Sequence, residues 1–298
     1  MIYKLIHKTQ YNYTGDVNSY HGIACVMPKT FPKQKVTNFS LIISPMPDEI
    51  NQRMDYFGNT LHHFSIHKPH QQLSVLATSL VETRSTIITD LFMTNRQVRE
   101  QIQRNLVVKN EVLEYTLPSP YVQWDAEIRD YASECFREDQ SFYQSARELC
   151  HKIYTDFKYV SGFTTIHTPL KTAFHERKGV CQDFSHLAIA CFRSLGFAAR
   201  YVSGYLETKP PPGKVKLQGS DATHAWVSVY APGIGWCDFD PTNDLVPQER
   251  HITTAWGRDF GDVSPLKGIL FSGGKHTIKV GVDVIPVTSD EKQLLNTF

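Results

Sequence analysis

The sequence has no C-x-x-C pair: its six cysteines, Cys25, Cys135, Cys150, Cys181, Cys191 and Cys237, are scattered through 298 residues. That spacing excludes the usual structural zinc site and the dense framework of a small disulfide scaffold. An excess of one charge is missing too, with 31 Lys and Arg against 30 Asp and Glu. No global field draws such a chain to a polyanion, so neither nucleic acid nor a membrane surface is expected as a partner. No apolar run approaches the roughly 20 residues of a membrane span. The N-terminus, Met1-Ile-Tyr-Lys-Leu-Ile-His-Lys, lacks a basic segment followed by a long apolar one. It reads as a strand rather than a secretory leader, and the expected compartment is the cytoplasm. Internal repeats and low-complexity tracts are also missing. What is present, 41% hydrophobic and 12% aromatic residues, describes a globular chain long enough for one large or two modest domains.

From Ile2 to about Arg84, short alternating stretches are broken by turn residues such as Pro45-Met-Pro-Asp and Phe57-Gly-Asn-Thr. This is the punctuation of antiparallel strands, with a tight hairpin expected at Gly58-Asn59. Residues 1–85 are therefore expected to form a β-rich domain and 86–124 a linker, with a short helix at Arg96–Leu106. Residues 125–298 are expected to form a second unit that includes the C-terminal strands. In it, Asp125 and Ser141 stand as N-caps of two helices. The best helix begins at Cys181: Phe184, Leu187, Ala188, Cys191, Phe192 and Leu195 share one face, and Gly196 closes it. Strand-like segments follow at Ala198–Leu206, Thr223–Tyr230, Gly235–Phe239, Leu266–Ser272 and His276–Pro286. Helices followed by antiparallel strands indicate an α+β fold.

Cys181 occupies the first position of its helix, where unsatisfied N–H groups and the positive end of the macrodipole favour a thiolate. The plainer alternative is a small buried filler like Cys191. A hairpin downstream bears on the choice. If Thr223–Tyr230 and Gly235–Phe239 turn about Pro232, His224 faces Asp240, close enough for a carboxylate to orient an imidazole. A two-residue slip would put Asp238 there instead.

Three segments, Gly-Val-Cys181-Gln-Asp-Phe-Ser-His, Thr-His224-Ala-Trp and Gly-Trp-Cys-Asp-Phe-Asp240-Pro-Thr, resemble the core motifs of transglutaminase-like cysteine enzymes, in the same order. Arg200-Tyr-Val-Ser-Gly-Tyr joins the match, and the first 85 residues resemble the N-terminal region of bacterial members. The resemblance implies a papain-related core, a nucleophile helix packed on an antiparallel sheet. It also implies Cys181 as nucleophile, His224 as general acid and base and Asp240 as orienting carboxylate. The expected chemistry is attack on a glutamine side chain or a peptide bond of a protein or peptide substrate. The resulting thioester is resolved by water or an amine, with no cofactor. Gln182 replaces the tryptophan of animal cross-linking members, and no acidic loop has calcium-ligand spacing. Calcium-dependent cross-linking is therefore not implied.

Trp226, Trp236 and Tyr205 are candidates for walls of a substrate cleft, with core packing the alternative for each. Asp183 reads as a helix-terminal charge and His186 as a packing or surface histidine. Lys209-Pro-Pro-Pro-Gly-Lys-Val-Lys reads as a solvated loop. His63 and His67 fall on one strand face and His62 on the other, so no metal site is expected there. The competing function is a non-catalytic binding module that retains the fold.

Overall fold

The alternation of the first residues is realised as one long strand in the computed structural model, which describes residues 1–85, 93–208 and 222–288. This strand, β1 (Ile2–Ala24), organises a seven-stranded antiparallel sheet with β2 (Gln34–Ser44), β3 (Glu49–Met54), β4 (Thr60–Ile66) and β5 (His70–Thr83). Met54 pairs with Thr60, so the expected hairpin exists, but with a five-residue loop in which Gly58 adopts φ +71°.

The remaining two strands of this sheet come from the other end of the chain. β12 (Leu266–Ser272) pairs with residues 17–24 of β1, and β13 (His276–Pro286) with residues 3–13. The expectation that these strands extend the second unit is therefore corrected: they complete the N-terminal sheet. Their hydrophobic pattern identifies them as strands but carries no record of the partner strand.

The expected linker is also different over its described part. α1 (Asn95–Arg104), α2 (Leu106–Val112) and a following 3₁₀ turn bury Val98, Ile102, Val112 and Tyr115 in the same core as the Cys181 helix. Residues 86–92 lie outside the described residues. α3 (Ala126–Ser133) starts at Asp125, whose carboxylate accepts the Ile128 N–H at 3.2 Å. α4 (Phe142–Asp156), β6 (Lys158–Tyr159), α5 (Leu170–Glu176) and β7 (Lys178–Gly179) lead to α6 (Cys181–Ser194). Gly196, at φ +83°, ends the helical turn as the sequence predicts.

The second sheet has four strands in the order β10-β9-β8-β11. They are β8 (Ala199–Leu206), β9 (Ala222–Ala231), β10 (Gly235–Phe239) and β11 (His251–Gly257), followed by the short α7 (Phe260–Val263). Leu187, Ala188, Cys191 and Phe192 of α6 pack with Ala199, Val227 and Val229 of this sheet in one apolar core. β11 is the strand that the pattern of alternation does not announce. All but one of its residues are buried, so it has no solvent-facing alternate positions.

Candidate active site

The position of Cys181 is fixed by the way α6 begins. The Asp183 carboxylate turns back to accept the Val180 N–H at 2.8 Å and the Thr164 hydroxyl. A Cβ on Gly179 would lie 2.7 Å from Asp183, so glycine leaves the room this turn needs. Asp183 thus serves the helix terminus, as the sequence predicts. Cys181 is partly exposed, whereas the other five cysteines are buried. Burial pushes the thiols of Cys135 and Cys237 up to about 11 and that of Cys25 up to about 12.

His224 lies near the start of β9, but the expected registry of its hairpin does not hold. Gly235 opposes Ala231 and Asp238 opposes Ser228, two residues away from the expected pairing. The reversal centres on Gly233 rather than Pro232, because Gly233 and Gly235 take φ of +82° and +95°. Extended in that registry, Asp240 would face Trp226. It meets His224 because β10 stops at Phe239. Asp240 then makes an isolated bridge to Leu245, and its Oδ1 accepts the N–H groups of Thr242 and Asn243 at 3.0 and 3.2 Å. This Asx-type turn over Asp240-Pro-Thr-Asn aims the other oxygen at the imidazole.

Asp240 Oδ2 lies 2.8 Å from His224 Nε2, 3.0 Å from His251 Nε2 and 2.7 Å from Asn243 Nδ2. An ionised carboxylate only accepts, so all three neighbours donate to it. The 3.3 Å approach of Asn243 Nδ2 to His224 Nε2 is then two donors converging on one oxygen. Burial disfavours the Asp240 carboxylate, yet its hydrogen bonds from His224 and His251 hold it well below the usual carboxylate range. Burial likewise disfavours a charged His224, but hydrogen bonds to Asp240 and Cys181 outweigh it and push the imidazole up to about 10. With Nε2 committed to Asp240, Nδ1 is the ring nitrogen left for the thiol. The arrangement can hold a proton on the ring between a sulfur and a carboxylate.

The structure brings Cys181, His224 and Asp240 together; of the three expected cleft residues it brings only Trp226 to them, its ring 6.1 Å from that of His224. Trp226 is fully buried, its ring edge against His251. Tyr205 is buried against Tyr3 and Leu5 of β1, and its hydroxyl lies 2.8 Å from His7 Nδ1. Trp236 pairs with Tyr230, six residues along β9 from His224, or about 20 Å at the rise of a strand. These positions correct the expected cleft walls: Tyr205 is covered by the N-terminal unit, Trp236 packs away from the site against Tyr115 and Tyr230, and Trp226 is a buried support of His224 rather than an open wall. His186 is a packing histidine: its Nε2 accepts the Phe260 N–H at 3.1 Å and its ring stacks on Tyr121. The Lys209 loop lies outside the described residues.

Sequence reasoning missed His251 and Asn243. Asn243 was within reach, since it closes the Asp-Pro-Thr-Asn turn; His251 sits on the one strand of this sheet that periodicity does not reveal. Among the described residues, His224, Asp240 and His251 also offer metal-type ligand atoms within 4.8 Å of one another. The three hydrogen bonds to Asp240 Oδ2 already account for that grouping.

The bacterial transglutaminase-like N-terminal region matches residues 3–82, and the transglutaminase-like superfamily core matches residues 129–241. The uncharacterized protein Rv2569c of Mycobacterium tuberculosis is 37% identical over 295 residues, covering 97% of this chain and 94% of the relative. The uncharacterized protein ML0607 of Mycobacterium leprae is 31% identical over 94% of this chain and 97% of its own length. Among solved structures, a "putative cysteine protease" from Cytophaga hutchinsonii superposes with a TM-score of 0.74 at 23% identity, over 97% of this chain and 92% of that one. The chain belongs to the transglutaminase-like superfamily. Its fold is an N-terminal antiparallel sheet joined to a transglutaminase-like α+β core. Among the described residues, no helix is long and apolar enough to cross a membrane.

Proposed function

We propose that this protein is a thiol enzyme that attacks an amide carbonyl of a protein or peptide substrate. The observation that carries the reading is that His224 is hydrogen-bonded to both Cys181 and Asp240 at the head of α6. Cys181 gives its proton to His224 Nδ1 and its sulfur adds to the carbonyl carbon. The developing oxyanion has the Cys181 N–H beside it, one of the helix-terminal groups without an intrahelical partner. His224 returns the proton to the nitrogen as the C–N bond breaks, leaving a thioester. Water or a primary amine, deprotonated by the same ring, attacks the thioester and releases the thiolate. Asp240 orients the ring and stabilises the imidazolium throughout.

The test is mass spectrometry of the protein after incubation with a peptide library, with and without an added primary amine. An acyl adduct on Cys181 that is lost in Cys181→Ala is expected, and the product mass distinguishes hydrolysis from transfer. A binding module would instead retain peptides non-covalently, and iodoacetamide would label Cys181 no faster than the five buried cysteines.

A further inference from the structure

We propose that His251 is a positioning residue of this site, a second imidazole that holds Asp240 in place and ties the triad to the contact between the two sheets. The inference rests on the catalytic reading above and goes beyond it. Asp240 is fully buried, and His251 and His224 approach the same oxygen, Oδ2, at 3.0 and 2.8 Å with ring centroids 5.9 Å apart. A buried carboxylate turned toward one donor is free to rotate about its last bond. One that receives two rings and an amide on one oxygen, and two backbone N–H groups on the other, is not. His251 thereby keeps Asp240 ionised and keeps its charge directed at His224.

The position of His251 is set from outside the catalytic core. Two residues along β11, Thr253 is clamped by Gln34 at the start of β2: Gln34 Oε1 accepts the Thr253 N–H at 2.8 Å, and its Nε2 donates to Thr253 O at 2.7 Å. The His251 ring lies edge-on to Trp226 at 5.3 Å. It also lines a chamber of about 30 Å³, whose charged groups are Lys33 and Arg84 from the N-terminal unit and Asp238 from β10. Among the described residues, those three groups, with Asp240 and His224, are the titratable neighbours facing His251 in this setting. The N-terminal sheet therefore reaches the reacting proton through Gln34, Thr253, His251 and Asp240.

The test is the rate of Cys181 alkylation by iodoacetamide across pH 4 to 11, read by mass spectrometry on the full-length protein. In the wild type, a thiolate and imidazolium pair gives a reactive plateau whose alkaline end falls near the His224 value of about 10. His251→Ala weakens the carboxylate that stabilises the imidazolium. The alkaline end then moves down by about one pH unit or more, the acid end moves up, and the rate at pH 6 falls about tenfold. His251→Gln, whose amide can donate to the same oxygen, restores most of the plateau. His251→Leu, which keeps volume without a donor, replaces the alanine variant if the latter loses its near-ultraviolet circular dichroism. Profiles of the alanine or leucine variant that superpose on the wild type overturn the inference, as does a glutamine variant no better than leucine. A wild-type profile with no plateau instead removes the catalytic reading on which the inference stands.

Discussion

The four-stranded sheet is covered on its two sides by very different surfaces. Against α6 the contact is largely dry: Leu187, Ala188, Cys191 and Phe192 meet Ala199, Val227 and Val229, and at its margin the buried Arg193 guanidinium donates to Ala199 O. Against the N-terminal sheet an apolar cluster, Tyr205 and Ile252 with Tyr3, Leu5 and Val284, is flanked by charged and polar groups. On this face of the four-stranded sheet the Arg200 guanidinium lies between the rings of its own Trp236 and Trp256, at 4.2 and 3.9 Å from their centroids, and Lys29 of the N-terminal unit stands 4.1 Å from the Trp256 ring. The Asn59 side chain donates to Trp256 O at 2.8 Å and accepts its N–H at 3.0 Å. The dry side supplies bulk stability and delivers Cys181. The polar side supplies register, because hydrogen bonds to specific backbone groups fail when a strand shifts, whereas apolar contacts tolerate sliding. A site that needs two rings on one carboxylate oxygen depends on the second kind of contact.

The largest effect that separates the two sides is expected at the carboxylate. Asp240→Asn retains shape but presents an amide to rings that require an acceptor, and turnover should fall about 10² to 10⁴-fold in a steady-state assay. Asp238→Asn, two residues away and opposite Ser228, should leave turnover nearly unchanged. The reverse result would move the orienting role to Asp238. Leu187→Ala tests the dry side: the residue is 2% exposed, and a urea melt should show a loss of about 2–5 kcal/mol. On the polar side, Gln34→Ala orphans the N–H of buried Thr253, whose carbonyl keeps the Lys29 N–H at 3.1 Å, and the same melt should show about 1–3 kcal/mol. Amide exchange should then rise in β11 while α6 stays protected. Equal exchange in both would mean that the two covers unfold as one.

The last contrast is a pH limb. Because His224 is raised from 6.5 to about 10 on folding, its contribution to stability is full below pH 6.5 and is lost as pH rises through about 10. Asp240, held below its ordinary 3.8, contributes above that value and loses its contribution as acid protonates the folded protein. His224→Gln should flatten the alkaline limb of a melting-temperature profile between pH 7 and 10.5. An unchanged limb would place the proton elsewhere.

Much of this architecture was legible in residue order. The 3.6-residue period of Phe184, Leu187, Cys191 and Leu195 fixed α6, and Cys181 at its head followed directly. The family motifs point to His224 and Asp240, which lie 2.8 Å apart although the hairpin registry is two residues from the expected one. The registry failed because turn geometry was assigned to Pro232, when the positive φ angles at Gly233 and Gly235 govern the reversal. The cleft walls differ for another reason: Tyr205 is buried by Tyr3 and Leu5, some 200 residues away in sequence, and Trp226 by packing against His224 and His251. His251 was hidden because its strand is buried along nearly its whole length, which erases the alternation of a half-exposed strand; β8 is as buried, but the Arg200-Tyr-Val-Ser-Gly-Tyr motif marks it.

The return of β12 and β13 to β1 also constrains the order in which the chain can be built. Tyr3 and Leu5, near the start, share a cluster with Val282 and Val284, and Tyr205 of the core packs in the same cluster. The longest strand of the protein is thus among the first segments made and among the last to be fully paired. A nascent chain must extend through residue 286 before β1 acquires both neighbours along its first half, whereas the contacts of α6 with β8 and β9 span only a few dozen residues. Local closure is faster than distant closure, so the core is expected to fold first on the ribosome, with the N-terminal sheet closing over it at the end of synthesis. A chain stopped before Leu266 would leave one edge of β1 open to other chains, so loss of the last strands would appear as aggregation before it appeared as lost chemistry.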